Sequence, residues 1–318
     1  MGRQGAEQGD DVARETYRTL RLMLVTLPVL LLVGSLLIFL TTGEVETSIS
    51  AYYFGPIRDI FVGAMVGIAV CLVVYRGSSA FEDHILNVAG FYAVFVALVP
   101  ADLSKTIEEL GAETPVSDAL QEEPSVGSLD VAAATVQELS VEPLRISAGA
   151  ALLVALMFVY VLRRTRRFPA PEVVAEPRAH AAFWVVNALG LAFAGLVAWR
   201  VVEGAAFDWV HSGAAVLLIV SLAIAVASHL WPGFFGAEDP PSYRSTAICG
   251  LTYRSAYAVI LVLMVAGAGV VALVAGEYRV IAVEWLEVAL FAVFWVLETA
   301  RTWTRLPARR RSRAVVPP

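Results

Sequence analysis

Lysine is nearly missing from this chain: Lys105 is the only one among 23 basic residues, and there are two cysteines and four histidines in 318 residues. Each shortage excludes something. Cys71 and Cys249 cannot build a disulfide framework or a thiolate metal centre. The histidines show no His-x-x-x-His spacing, and there is no Cys-x-x-Cys, so metal and haem are not expected and no cofactor is implied. Neither a Gly-x-x-x-x-Gly-Lys phosphate loop nor a Gly-x-Ser-x-Gly elbow occurs. Charge of either sign is scarce, at 16% of residues against 58% apolar. A mean hydropathy of +0.71 puts more apolar surface in the chain than one soluble core can bury. Lipid is the solvent that fits, and nucleic acid is not an expected partner.

What is present is a series of eight apolar runs, at 22–41, 57–75, 81–99, 145–162, 180–202, 209–230, 255–275 and 280–300. A bilayer core of ~30 Å needs about 20 helical residues. Strict alternation is absent, which argues against a β-barrel. The first run has no small-x-small site after it and reads as a retained span rather than a cleaved signal. The expected class is an all-α, polytopic transmembrane bundle.

Arginine supplies the orientation. Alternate loops and the two tails hold 18 of the 23 basic residues, including Arg163, Arg164, Arg166 and Arg167 and the Arg309–Arg313 cluster. The other side holds Arg58, Lys105, Arg145, Arg200 and Arg279. The positive-inside rule then puts both termini in the cytoplasm of a cell (inner, plasma) membrane. The arginine-rich, alanine- and valine-rich composition suggests a bacterial source. The chain divides into a tail (1–21), a three-span block (22–100), an acidic outer loop (101–143), a five-span block (144–303) and a basic tail (304–318). The outer loop carries ten acids and one lysine, and reads either as a solvated connector or as a lid.

The stretch Ser48-Ile49-Ser50-Ala51-Tyr52-Tyr53, followed by Arg58-Asp59-Ile60-Phe61-Val62-Gly63, resembles the signature of an uncharacterised family of bacterial and archaeal polytopic membrane proteins. That family is distantly similar to the Frag/DRAM/Sfk group. Asn87-Val88-Ala89-Gly90, Ala97-Leu98-Val99-Pro100, His211-Ser212-Gly213-Ala214 and Glu284 with Phe291 and Trp295 continue the likeness. Phe54 stands where the family often has His, and Glu298 departs from its usual ending. The resemblance implies about six spans, so spans four and five look added. It implies no activity.

Ionisable groups in spans normally face the bundle interior or a wet cavity. Asp59 shares an i, i+4, i+8 line with Gly63 and Gly67, a small-residue seam expected to face another helix and to carry Asp59 inward. The alternative is an N-terminal cap, with Arg58 reaching the headgroups. On the same outer side stand Ser48, Ser50, Tyr52, Tyr53, Arg58, His211, Glu284 and Glu287, the expected ligand-binding set. Asp59, His211 and Glu284 are the candidate acid–base groups.

A second polar group lies at the inner face: Glu82, Asp83, His84, Asn87, His180, Asn187, His229, Glu298 and Arg301. Glu298 and Arg301, at i, i+3, read as an edge ion pair with a structural role. Glu287 and Glu298 share a stripe ~16 Å apart, with Phe291 and Phe294 between them arguing against a wet channel. The expected function is binding or passing a lipid or small amphiphile through an outer-side polar cavity, with membrane lipids as partners. The alternatives are an outer-leaflet lipid-modifying enzyme, with Arg58 holding phosphate, and a proton-coupled transporter. Whether the chain is an enzyme stays open.

Overall fold

A computed structural model describes residues 2–43, 45–46, 48–54, 57–101, 141–165, 170–203, 207, 209–247 and 250–303. The acidic loop from 102 to 140 and the basic tail from 304 lie outside the described residues, as do Cys249 and the side chain of Tyr53. Among those described, the fold is helical and has no strand, only an isolated bridge between Thr246 and Thr252.

The helices are α1 (Gly2–Thr42), α2 (Arg58–Val74), α3 (Ala80–Leu98), α4 (Val141–Thr165), the short α5 (Pro171–Ala175), α6 (Pro177–Glu203), α7 (Val210–Leu230), α8 (Tyr253–Val262), α9 (Ala268–Val274) and α10 (Arg279–Trp303). A π turn, Leu263–Gly267, joins α8 to α9, so the seventh apolar run is one interrupted span. Seven of the eight runs form helices long and apolar enough to cross a membrane. The eighth, α2, has 17 residues, about the lower limit for a span. Residues 2–21, in the segment expected as a cytoplasmic tail, form the start of α1.

Six spans close a ring in the order α1, α2, α3, α7, α8–α9 and α10, with α10 packing back on α1. The pattern of each helix explains its place. α1 buries Leu24, Pro28, Leu31, Gly34 and Ser35, one face at helical spacing, and leaves Leu22, Met23, Val29, Leu30, Val33 and Leu36 exposed. α3 is buried on most sides because it also supports α4 and α6, which pack outside the ring. Small residues set the α2–α3 approach: a Cβ at Gly90 would fall 2.8 Å from the Ala69 carbonyl oxygen. That spacing admits glycine alone.

α1 and α10 run antiparallel. Arg21 Nη1 donates to Thr302 Oγ1 at 2.5 Å, and fourteen residues on, Trp285 Nε1 donates to Ser35 Oγ at 3.1 Å. Both ends of the described chain therefore sit at one end of the bundle. We call this the terminal end and the opposite one the far end.

Candidate functional site

The far end holds the residues that the sequence singled out. Ser48 and Ser50 are buried with their hydroxyls 2.8 Å apart, and Ser48 Oγ accepts from Ala51 N. The 3₁₀ turn Ile49–Phe54 is pinned to α10 because Ile49 N donates to Glu284 Oε2 at 2.5 Å. Tyr52 is buried beneath it, and burial pushes its phenol above the usual tyrosine range. Ser48, Ser50, Tyr52 and Glu284 are thus brought to one packed cap. Glu287, one turn deeper on α10, is buried as well.

His211 is held elsewhere on the ring, with Nδ1 2.5 Å from the Val99 carbonyl oxygen at the end of α3. Asp59 corrects the expectation. It is exposed, on the line Asp59, Gly63, Val66, Val70, Val74 that α2 turns away from its neighbours. Gly63 faces open space, whereas a Cβ at Gly67 would meet Leu27 of α1 at 2.8 Å. The reason is packing chemistry. α2 presents Phe61, Ala64, Met65, Ile68, Ala69, Cys71 and Leu72 to α1 and α3, and this bulkier apolar face outweighs the glycine line. Half-buried Arg58 sits beside it. Asp59 is therefore not delivered to His211 and Glu284, and an acid–base trio of these three is not assembled.

The terminal end holds the buried polar network of the ring. It starts with the loop before α3. Ser79 caps the helix by accepting from Glu82 N at 3.1 Å, the first half of a capping box. The Glu82 carboxylate turns back to Ser78 instead, accepting from its N at 2.7 Å and its Oγ at 2.6 Å. Gly77 makes room for this: a Cβ there would lie 2.6 Å from Glu82 Cδ. Asp83 ties the same loop down through Gly77 N and Arg76.

His229, in the last turn of α7, places Nε2 3.2 Å from Glu82 Oε1. Neither atom has a hydrogen-bond partner, so the contact is an ion-pair distance rather than a formed bond. Nδ1 lies 2.6 Å from the hydroxyl of Tyr243. Tyr243 comes from outside the spans, on the 3₁₀ turn Pro241–Arg244, and its hydroxyl is also 3.5 Å from Ser78 Oγ. Burial pushes its phenol up to about 12, against the pull of Arg301. It therefore keeps its proton at physiological pH and acts as a donor.

Arg301 completes the group. It grips Glu298 as a fork, Nε to Oε2 at 2.9 Å and Nη2 to Oε1 at 2.5 Å, while Nη1 reaches Ser242 Oγ at 3.3 Å. Its guanidinium carbon stands 4.7 Å from the centre of the Tyr243 ring. Tyr257 donates to Glu298 Oε2 at 2.8 Å, and its ring lies 4.9 Å from that of His229. Glu82, His229, Glu298 and Arg301 are each 3% exposed or less. The pair read from sequence as an edge salt bridge is thus a buried one, because the 232–252 loop covers it.

Charge counting constrains this network. Two carboxylates and one guanidinium leave one negative charge, and an imidazolium at His229 brings the four to zero. With both ring nitrogens protonated, Nδ1 donates to Tyr243, which donates to Ser78. With the ring neutral and its proton on Nε2, Tyr243 donates to Nδ1 instead. One proton on His229 therefore sets the direction of its hydrogen bond with Tyr243, while Ser78 donates to Glu82 in either state.

A small apolar crevice lies between the two ends, with about 10 Å³ of free volume, near the room of one water. Leu86, Ala225, Val226, Met264, Phe291 and Phe294 are among its walls. Glu82 is one turn from Leu86, His229 one turn from Ala225 and Val226, and Glu298 one turn from Phe294, so by helical register the polar network lies one turn beyond these walls toward the terminal end. Met264 belongs to the π turn, a helix defect often found at functional sites.

Sequence reasoning named Glu82, His229, Glu298 and Arg301 as inner-face residues but missed Ser78, Ser242, Tyr243 and Tyr257. Ser79-x-x-Glu82 was the readable signal for the loop; nothing local marks Tyr243. Among the described residues, no group of three or more His, Cys, Asp or Glu side chains is arranged to hold a metal ion. No family model, curated protein or solved structure matches the chain.

Proposed function

We propose that this integral membrane protein is a proton-coupled transporter of the cell's inner (plasma) membrane, with the terminal end in the cytoplasm. The observation that carries the reading is the His229–Glu82 contact, buried where one proton on His229 sets the direction of its hydrogen bond with Tyr243, one helical turn from the crevice within the six-span ring. A packed bundle with buried ionisable groups and little free volume suits an ion as small as a proton. Orientation rests on the arginine asymmetry. The six-helix ring with α4 and α6 outside it supports the resemblance to a six-span family.

The experiment is proton uptake into sealed proteoliposomes under an imposed potassium diffusion potential, read by a trapped pH dye. Uptake above that of protein-free vesicles is expected. Uptake equal to theirs, from protein that remains folded, removes the reading.

An amphiphile as ligand or cargo is the second reading, and one observation favours it. α4 buries Leu144, Ala148 and Leu152 against the bundle, but residues 153–161 are exposed or half-exposed all round. Residues 153–161 therefore present an apolar surface beyond the packed part of α4, against which an amphiphile would bind laterally rather than through the packed far-end cap. Native mass spectrometry of purified protein tests this: retained lipid is expected, and consistently lipid-free protein excludes it.

A further inference from the structure

Glu287 is 6% exposed, and among the described residues neither carboxylate oxygen has a hydrogen-bond partner. This is unusual company for a carboxylate. The other buried acids of the ring are answered, Glu82 by Ser78 and His229 and Glu298 by Arg301 and Tyr257, and half-buried Glu284 is answered by Ile49 N. An ionised, unpaired carboxylate buried in a bundle costs several kcal/mol, so the group must be neutralised by something that the described residues do not supply.

The surroundings limit what that is. On α10 itself the charged groups are Arg279 and Glu284 toward the far end and Glu298 and Arg301 toward the terminal end. From α1 no titratable side chain faces it between Arg21 and Thr42, and the 3₁₀ turn offers Tyr52. α7 offers His211 and His229 at its two ends, and α8 offers Tyr253, Arg254 and Tyr257 at the terminal end. None of these donates to Glu287. A metal cation needs several oxygen ligands, and among the described residues no such group forms.

We propose that Glu287 is a proton-binding site in the interior of the ring. Its carboxylate takes one proton from far-end water past half-buried Glu284, and it holds that proton as a neutral carboxylic acid. Glu287 stands one turn beyond Leu290 and Phe291, which line the crevice, on the side opposite Glu298. The crevice therefore separates two places where a proton can rest. This deepens the proton-coupled reading and rests on it for its role, but the binding site itself can be tested alone.

Difference infrared spectroscopy of the full chain in lipid, in normal and heavy water, supplies that test. Expected is a carbonyl-stretch band of an un-ionised carboxylic acid that shifts in heavy water, fades as pH is raised and is missing from Glu287→Gln. If that variant does not fold, Glu287→Asp should move the band instead of removing it. A folded Glu287→Gln with an unchanged spectrum overturns the proposal. So does a melting shift on adding sodium or potassium that Glu287→Gln loses, which would give the site to a metal cation. An acid band at Glu287 from protein that takes up no protons would keep the site and discard the transport reading.

Discussion

His229 Nε2 stands 3.2 Å from Glu82 Oε1, and both side chains are buried where α7 ends and α3 begins. Two helices far apart in sequence thus share one ion-pair contact, fixed from below by Ser78 and from the side by Tyr243. Breaking one side of such a pair leaves an uncompensated buried charge, with a penalty of about 3–5 kcal/mol. Glu82→Ala and Arg301→Ala should each lower the melting temperature strongly in detergent. Asp59→Asn, on the exposed line of α2, should stay within about 0.5 kcal/mol of the wild type. Equal melting of all three would show that the network contributes nothing to stability.

Glycine substitutions test the geometry around the same contact. Gly77→Ala puts a methyl into the Glu82 side chain and should cost about 1–3 kcal/mol, as overpacking usually does. Gly67→Leu should be at least as harmful, since Leu27 already fills that space. Gly63→Leu should be harmless because nothing lies within contact of its Cβ. Thermal unfolding of the three variants separates these outcomes, and a destabilised Gly63→Leu would show that α2 is rotated from the orientation described.

Tyr243 gives an alkaline signature. Its phenol is raised from 10.0 to about 12 in the folded protein, chiefly by burial. The folded state therefore holds this proton more tightly than the unfolded chain. The matching stabilisation, about 2–3 kcal/mol, is complete below pH ~10 and is lost as pH rises through about 12. Tyr243→Phe should remove this portion of the alkaline stability loss while leaving the ring under Arg301. Identical alkaline unfolding profiles for the two proteins would contradict the buried hydroxyl.

The helical spans were legible in the sequence because length and hydropathy are local properties, and seven of the eight apolar runs form helices long and apolar enough to cross a membrane. α2 showed the limit of that reading. Its Asp59–Gly63–Gly67 line looked like a packing seam, yet only Gly67 touches a neighbour. Which face of a doubly packed helix turns outward depends on the summed bulk of Phe61, Met65, Ile68 and Leu72, and that is decided by two partners at once. The network at the terminal end was half legible. Glu82, His229, Glu298 and Arg301 could be assigned to one end by topology, but Tyr243 reaches them from a loop with no periodic signal. Burial of the Glu298–Arg301 pair followed from that same loop.

Orientation is open to a labelling test on single-cysteine variants. A cysteine replacing Leu120 should react with an impermeant thiol reagent on intact cells. Cysteines replacing Ala170 or Arg310 should react only after permeabilisation. The opposite result at two of these positions would invert the bundle and place the His229 network outside.

The central claim is that His229 handles a proton and does not merely hold helices together. The measurement is proton uptake by His229→Gln in proteoliposomes under an imposed potential, beside the wild type and a folded control such as Gly63→Ala. Glutamine can still hydrogen-bond with Tyr243 and present a polar group to Glu82 but cannot take up a proton. The expected result is uptake reduced to the level of protein-free vesicles, from a variant that still gives a cooperative unfolding transition, with the control unchanged. Wild-type uptake from His229→Gln would show that the network is a structural latch.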